Sequence, residues 1–112
     1  MLDEQTIPGQ DLPDNETITL LKPVFLGADS KISYETIELK EPTLDQVDIF
    51  YRERDKNNVL SGMGLLISLV SGVPLPAVKR IGFRDYKKCE VWLTRFLTWT
   101  PEKKNGEESP QT

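Results

Sequence analysis

The sequence predicts an α+β fold, an N-terminal antiparallel β-hairpin followed by a small bundle of three to four helices, with flexible termini. Three observations predict it. Apolar residues alternate at a period of two between Thr17 and Leu39, the pattern of half-buried strands. From Pro42 onward they recur at helical spacing instead. Residues 101–112 contain no apolar residue at all, so they cannot offset the entropy lost on ordering. Residues 1–15 carry two prolines, a glycine and four acidic side chains with little periodicity. The expected organisation is a disordered N-terminal tail over 1–15, a single domain over 16–100 and a disordered C-terminal tail over 101–112. A chain of 112 residues has room for one core and not two.

In the hairpin, Ile18 and Leu20 alternate with Thr17, Thr19 and Leu21, and Ile32 and Tyr34 alternate with Ser33 and Glu35. The apolar positions then change parity at Ile37 and Leu39, which predicts a bulge near Glu35 or Thr36. Gly27-Ala28-Asp29-Ser30 supplies the turn. Pro23 cannot donate to a ladder, so its arm is expected at a sheet edge. Thr43 and Gln46 form a capping-box pattern just after Pro42, opening a helix in which Leu44, Val47 and Tyr51 share a face with Phe50 on its flank. Asn57 and Asn58 break that helix and cap the next, which runs to Gly72 as its stop. Pro74 or Pro76 starts a short helix with Leu75, Val78 and Ile81. The last helix begins near Arg84 and Asp85, the acid suiting the positive helix end, with Tyr86, Cys89, Leu93, Phe96 and Leu97 as its core stripe.

Composition excludes several classes of function. The formal charge is −4, and Lys and Arg are not concentrated enough for a nucleic-acid binder or an anionic membrane surface. Histidine is absent, removing the commonest general base near neutral pH and the commonest metal ligand. The single cysteine, Cys89, falls on an apolar stripe, as expected of an inert buried thiol in a reducing compartment. The carboxylates fall where solvated faces would fall, and no nucleophile–base pair, ligand cluster or phosphate loop is present. The expectation is a non-enzymatic protein with no cofactor, no metal, no nucleic acid and no membrane among its partners. The opening residues lack an apolar run, so no signal peptide is expected. The longest apolar stretch, Met63 to Val70, is short of the ~20 residues of a membrane span.

Two segments are candidates for docking a partner. In the second helix, Val59, Met63, Leu66 and Val70 form the main apolar face, and Ser61, Gly64, Ser68 and Ser71 form a small-residue stripe bordered by Leu65 and Leu69. A helix apolar nearly all round is either central in a bundle or leaves one edge open. In the last helix, Trp92 and Trp99 stand seven residues apart beside Lys88 and Arg95. Tryptophans at a domain edge mark binding hot spots, or else both rings pack on the hairpin. The candidate partner-binding residues are therefore Leu65, Leu69, Trp92, Trp99, Lys88 and Arg95.

The order of segments resembles the short tail assembly chaperones of Mu-like and related contractile-tailed phages. The resemblance rests on Ile37-Glu38-Leu39-Lys40-Glu41-Pro42-Thr43, on Leu65-Leu66-Ile67-Ser68-Leu69-Val70-Ser71-Gly72-Val73-Pro74 followed by a helix led by Asp85, and on the opening strand from Ile18 to Pro23. It covers about residues 17–98; family members often have arginine where Lys40 stands. The resemblance implies a protein of the host bacterial cytoplasm that binds the tape measure protein, with the tail tube protein as a further candidate partner, and keeps the tape measure protein soluble for tail tube polymerisation. It implies absence from the mature virion, and many members have a frameshift-extended form. A homo-oligomer is left open. The alternatives are a structural tail or baseplate component, or a small helical transcriptional regulator built around the Gly72-Val73-Pro74 corner. The short helix after that corner carries only Lys79 and Arg80 as cations, which is poor for a recognition helix.

Overall fold

Strand β1 (Asn15–Leu26) and strand β2 (Ile32–Lys40) pair antiparallel as a two-stranded sheet. The computed structural model describes residues 12–29 and 31–101; the expected tails through residue 11 and from residue 102, and Ser30 of the expected turn, lie outside them. The ladder starts at the Asn15–Lys40 pair, one residue before the expected Glu16, and Glu41 N–H donates to the Asp14 carbonyl at 2.9 Å. Gly27 turns the chain with φ of +95°, a left-handed conformation that a residue with a Cβ adopts only at a cost. Ile18, Leu20 and Val24 of β1 and Ile37 and Leu39 of β2 face the core.

The irregularity lies in the first strand, not in the second as the parity change had suggested. Thr19 pairs with Thr36 and Val24 with Tyr34, so β1 residues 20–23 face Glu35 alone. The ladder is thus interrupted opposite Glu35, the point at which the apolar residues of β2 change parity, while the extra residues belong to β1. Pro23, with no N–H, sits inside it.

Helix α1 (Leu44–Lys56) opens with the expected capping box: Gln46 N–H donates to Thr43 Oγ1 at 3.2 Å, and Thr43 N–H to Gln46 Oε1 at 3.0 Å. Its buried side is not the predicted one. Phe50 is enclosed, whereas Leu44 is 87% exposed and Tyr51 lies on the surface under the Arg54 guanidinium. The cause is Gly62 of helix α2 (Val59–Ser71). A Cβ at Gly62 would stand 3.0 Å from the Phe50 carbonyl oxygen and 3.2 Å from Arg54, so α2 lies backbone to backbone against the Phe50 side of α1.

The two helices form an antiparallel pair tied at both ends. Gln46 Nε2 donates to the Leu69 carbonyl at 3.3 Å, and the Ser61 hydroxyl donates to the Glu53 carboxylate, which also accepts from Asn57 Nδ2 at 2.6 Å. These two donors hold the Glu53 carboxyl below its ordinary value, Ser61 most strongly. Asn58 caps α2 by accepting from Ser61 N–H at 2.8 Å, and Gly72 ends it at φ of +79°. The small-residue stripe does not mediate close approach. Gly64 has nothing within 4 Å of a built Cβ, and the Ser68 and Ser71 hydroxyls donate to the Val73 and Ile67 carbonyls, each at 2.6 Å.

Helices α3 (Leu75–Val78) and α4 (Phe83–Leu97) complete the domain. Met63, Leu66, Ile67 and Val70 of α2 form the centre of the core. Around them pack Ala77 and Val78 of α3, Cys89, Trp92 and Leu93 of α4, and the inward residues of both strands. Tyr86, Phe96 and Leu97 flank this core as the last helix's predicted stripe required.

The two glycines of α2 are expected to respond oppositely to alanine. Gly62→Ala overpacks the α1 contact and should destabilise by about 1–3 kcal/mol. Gly64→Ala meets open space and should stabilise by about 0.5–1 kcal/mol by restricting the unfolded chain. Urea denaturation of both variants checks this, and equal signs would contradict the packing described.

Candidate functional site

Helix α4 carries most of the chemistry, and one buried carboxylate positions it. Asp85, in its first turn, is 1% exposed. Leu21 N–H points between its two oxygens at 2.9 Å from each, and Lys22 N–H donates to Oδ2 at 3.3 Å. Lys88 Nζ stands 3.6 Å from Oδ1 and donates to the Thr19 carbonyl at 3.4 Å. The bulge of β1 leaves backbone donors with no opposite strand residue, and Asp85 supplies their acceptor. A buried carboxylate without such donors would be strongly disfavoured. Further along, Arg80 Nη1 donates to the Phe25 carbonyl at 3.2 Å, tying the α3–α4 connection to the same strand.

With α4 docked on β1, a groove of about 480 Å³ opens between them. Glu16 and Ile18 line it from β1, and Arg84, Lys87, Lys88, Val91, Trp92 and Arg95 line it from α4. Trp92 is 3% exposed and its ring packs at 4.8 Å from that of Phe96. Its indole N–H is buried with no hydrogen-bond acceptor. A second hollow of about 470 Å³ is bounded by Trp99 and Phe96 with Leu12, Asp14 and Glu41. A smaller apolar one, about 200 Å³, lies between the start of α2, the end of α3 and the start of α4, where Leu60 and Phe83 are exposed and Phe83 stacks on Tyr86.

The six sequence-predicted residues are therefore not gathered in one place. Lys88, Arg95 and Trp92 share the α4–β1 groove, but Trp92 is a core group at its floor, so a partner meets the neighbouring Val91 rather than the Trp92 ring. Trp99 lies past the end of α4 at the second hollow, half exposed. Leu65 and Leu69 are half buried on the side of α2 that carries Ser61 and Gly62, the side facing α1. Arg84, Lys87 and Val91 were missed, although the spacing 84, 88, 91, 95 places three cations and one apolar residue on a single helical face. Leu60 and Phe83 also escaped notice, because each occupies the first turn of its helix, where periodicity is least informative.

The profile of the family described as phage tail assembly chaperone proteins, E, or 41 or 14, matches residues 17–98, from β1 to the C-cap of α4. The chain belongs to the phage tail assembly chaperone family. No curated protein and no solved structure matches the chain. In this chaperone, no group of three or more His, Cys, Asp or Glu among the described residues could hold a metal ion, and no described helix is long and apolar enough to cross a membrane. Cys89 is fully buried, and burial together with the nearby Asp85 carboxylate pushes its thiol up to about 12.

Two outcomes follow for this chaperone. Asp85→Ala leaves the bulge donors without an acceptor and should cost about 3 kcal/mol, whereas Lys88→Ala, at a partly exposed ion pair, should cost less than about 1 kcal/mol. Chemical denaturation ranks the two, and a reversed order would rule out Asp85 as the anchor. Cys89 should resist a maleimide until the protein unfolds. An unfolded thiol ionises near its ordinary 9.0 and the folded one near 12, so the stability linked to this thiol is intact below pH 9 and lost as pH rises from 9 to 12. Cys89→Ala should flatten that part of the stability–pH curve relative to wild type.

Proposed function

We propose that this chaperone binds the tape measure protein in the host cytoplasm and keeps it soluble until the tail tube polymerises, and that it is left out of the mature virion. It acts by binding and not by catalysis. The single observation that carries the reading is the family match across every described element. The surface supports it: Val91, Leu60 and Phe83 are large apolar side chains more than half exposed on or beside α4, and such residues bordering polar ones mark interaction surfaces. The client site we assign is the outer face of α4, including Lys88 and Arg95 from the sequence-predicted set and Arg84, Lys87 and Val91 beside them.

Co-expression tests this directly. The tape measure protein is expected in the soluble fraction and in a pull-down with tagged chaperone, and in the insoluble fraction without it. Mass spectrometry of purified particles is expected to find no chaperone. Its retention in the virion would instead make it a structural tail or baseplate component.

A further inference from the structure

We infer that the groove between α4 and β1 is built for an acidic, amphipathic protein segment, whose carboxylates meet Arg84, Lys87, Lys88 and Arg95 and whose apolar residues meet Val91 and Ile18. This names the partner chemistry of the surface assigned above and rests on that assignment. The groove is a local reversal of charge. The chain as a whole carries −4, yet four of the eight side chains lining this groove are cations and Glu16 is its one acid. Two of the cations are already engaged, Lys87 with Glu90 at 3.0 Å and Lys88 with Asp85 at 3.6 Å. Arg84 and Arg95, both exposed, have no ion-pair partner among the described residues. They stand at the two ends of the groove, eleven positions apart on α4, which is about 16 Å along a helix at 1.5 Å per residue. A partner helix with carboxylates about three turns apart spans that distance.

Between Lys88 and Arg95 the surface is apolar. Val91 is 56% exposed and the Trp92 ring forms the floor, with an indole N–H that lacks an acceptor. An apolar ridge flanked by four cations, two of them already paired, suits a protein segment better than a phosphate backbone, whose affinity rests on many Lys and Arg contacts. The planar fork of each arginine can bind both oxygens of a carboxylate. The acidic remainder of the chaperone does not prevent this. At physiological salt the Debye length is about 8 Å, so a bound segment interacts with the groove and is largely screened from distant surface acids.

The test is a titration of isotope-labelled full-length protein with two designed helical peptides, both with leucine at i, i+3, i+4 and i+7. One has glutamates on the flanks of the leucine stripe and the other has lysines. The acidic peptide is expected to shift amides of α4 and residues 16–18 together with the Trp92 indole N–H resonance, and to weaken severalfold between 50 and 300 mM salt, values of the order that separate exposed charge effects from apolar ones. Arg84→Glu/Arg95→Glu, and the milder Arg84→Gln/Arg95→Gln should the first unfold by circular dichroism, are expected to weaken it about tenfold or more. Equal binding of the lysine peptide, shifts confined to the Leu60–Phe83 hollow, tighter binding of duplex DNA, or concentration-dependent self-association that shifts the same amides would each overturn the inference. The same double variant in the co-expression assay separates the two levels. If it captures the tape measure protein as well as wild type does, the groove assignment fails and the chaperone reading stands. If wild type captures none while the acidic peptide still binds, the client reading fails and the groove stands.

Discussion

The bond between the Asp85 carboxylate and the bulge of β1 decides where everything else sits. A strand with residues 20–23 opposite one partner residue has backbone donors that no ladder can use, and a carboxyl group with 1% exposure is costly to bury without donors. Each feature is costly alone and each removes the cost of the other. Leu21 N–H stands 2.9 Å from both oxygens and Lys22 N–H 3.3 Å from one, and hydrogen bonds to a carboxylate are the stronger kind. Asp85 also sits in the first turn of α4, where the helix dipole favours a negative charge by about 0.3–1 kcal/mol. Two of the segments that carry the family resemblance, Ile18–Pro23 and the Asp85-led helix, thus meet in one contact. That contact sets the direction of α4 against β1 and with it the shape of the groove.

The rest of the fold answers a different constraint, that a two-stranded sheet is at best marginal by itself. Its inward residues need a cover, and α2 supplies it from the centre, with α4 on the β1 side and α3 closing between them. α1 reaches the core mainly through Phe50, and it is held against α2 by the absence of a side chain at Gly62. The outward face of the hairpin keeps Leu21, Phe25 and Ile32 exposed. The core is therefore one layer of side chains between a sheet and a helical layer, as a small α+β domain must be.

The order and type of the elements were legible because local rules fix them. Thr43 with Gln46, Asn58 with Ser61 and Gly72 each set a helix end within a few residues, and period-two alternation marked both strands. What escaped was fixed at long range. The bulge was placed on the wrong arm because parity reports a change of register without saying which strand holds the extra residues. The buried side of α1 was misread because it is chosen by Gly62, which belongs to another helix. Asp85 read as a helix-end acid, and nothing local links it to Leu21, sixty-four positions earlier. Trp92 and Trp99 share a spacing that suits one edge, yet α4 ends at Leu97, so Trp99 leaves the helical face on which Trp92 is buried. The candidate site was accordingly half legible. Lys88 and Arg95 of the sequence-predicted set line the proposed surface, while Arg84, Lys87 and Val91 needed α4 docked on β1 to join them.

In the proposed role the chaperone faces a requirement that a permanent subunit does not, since a client held only during assembly has to leave when the tube forms. Release is quick when affinity is spread over weak contacts. Exposed ion pairs are worth about 0–1 kcal/mol each, and they raise association rates more than they slow dissociation. An interface of this kind fills rapidly and empties rapidly, and a competing surface of larger apolar area displaces it by mass action. A deep apolar cleft would hold more tightly and release more slowly. The described surface has shallow hollows, a ridge with a single exposed valine and cations at its margins, which places it at the reversible end of that range. In the proposed role the modest size of the α4 surface is therefore a functional property, because it lets the chaperone protect a client without competing with the final assembly.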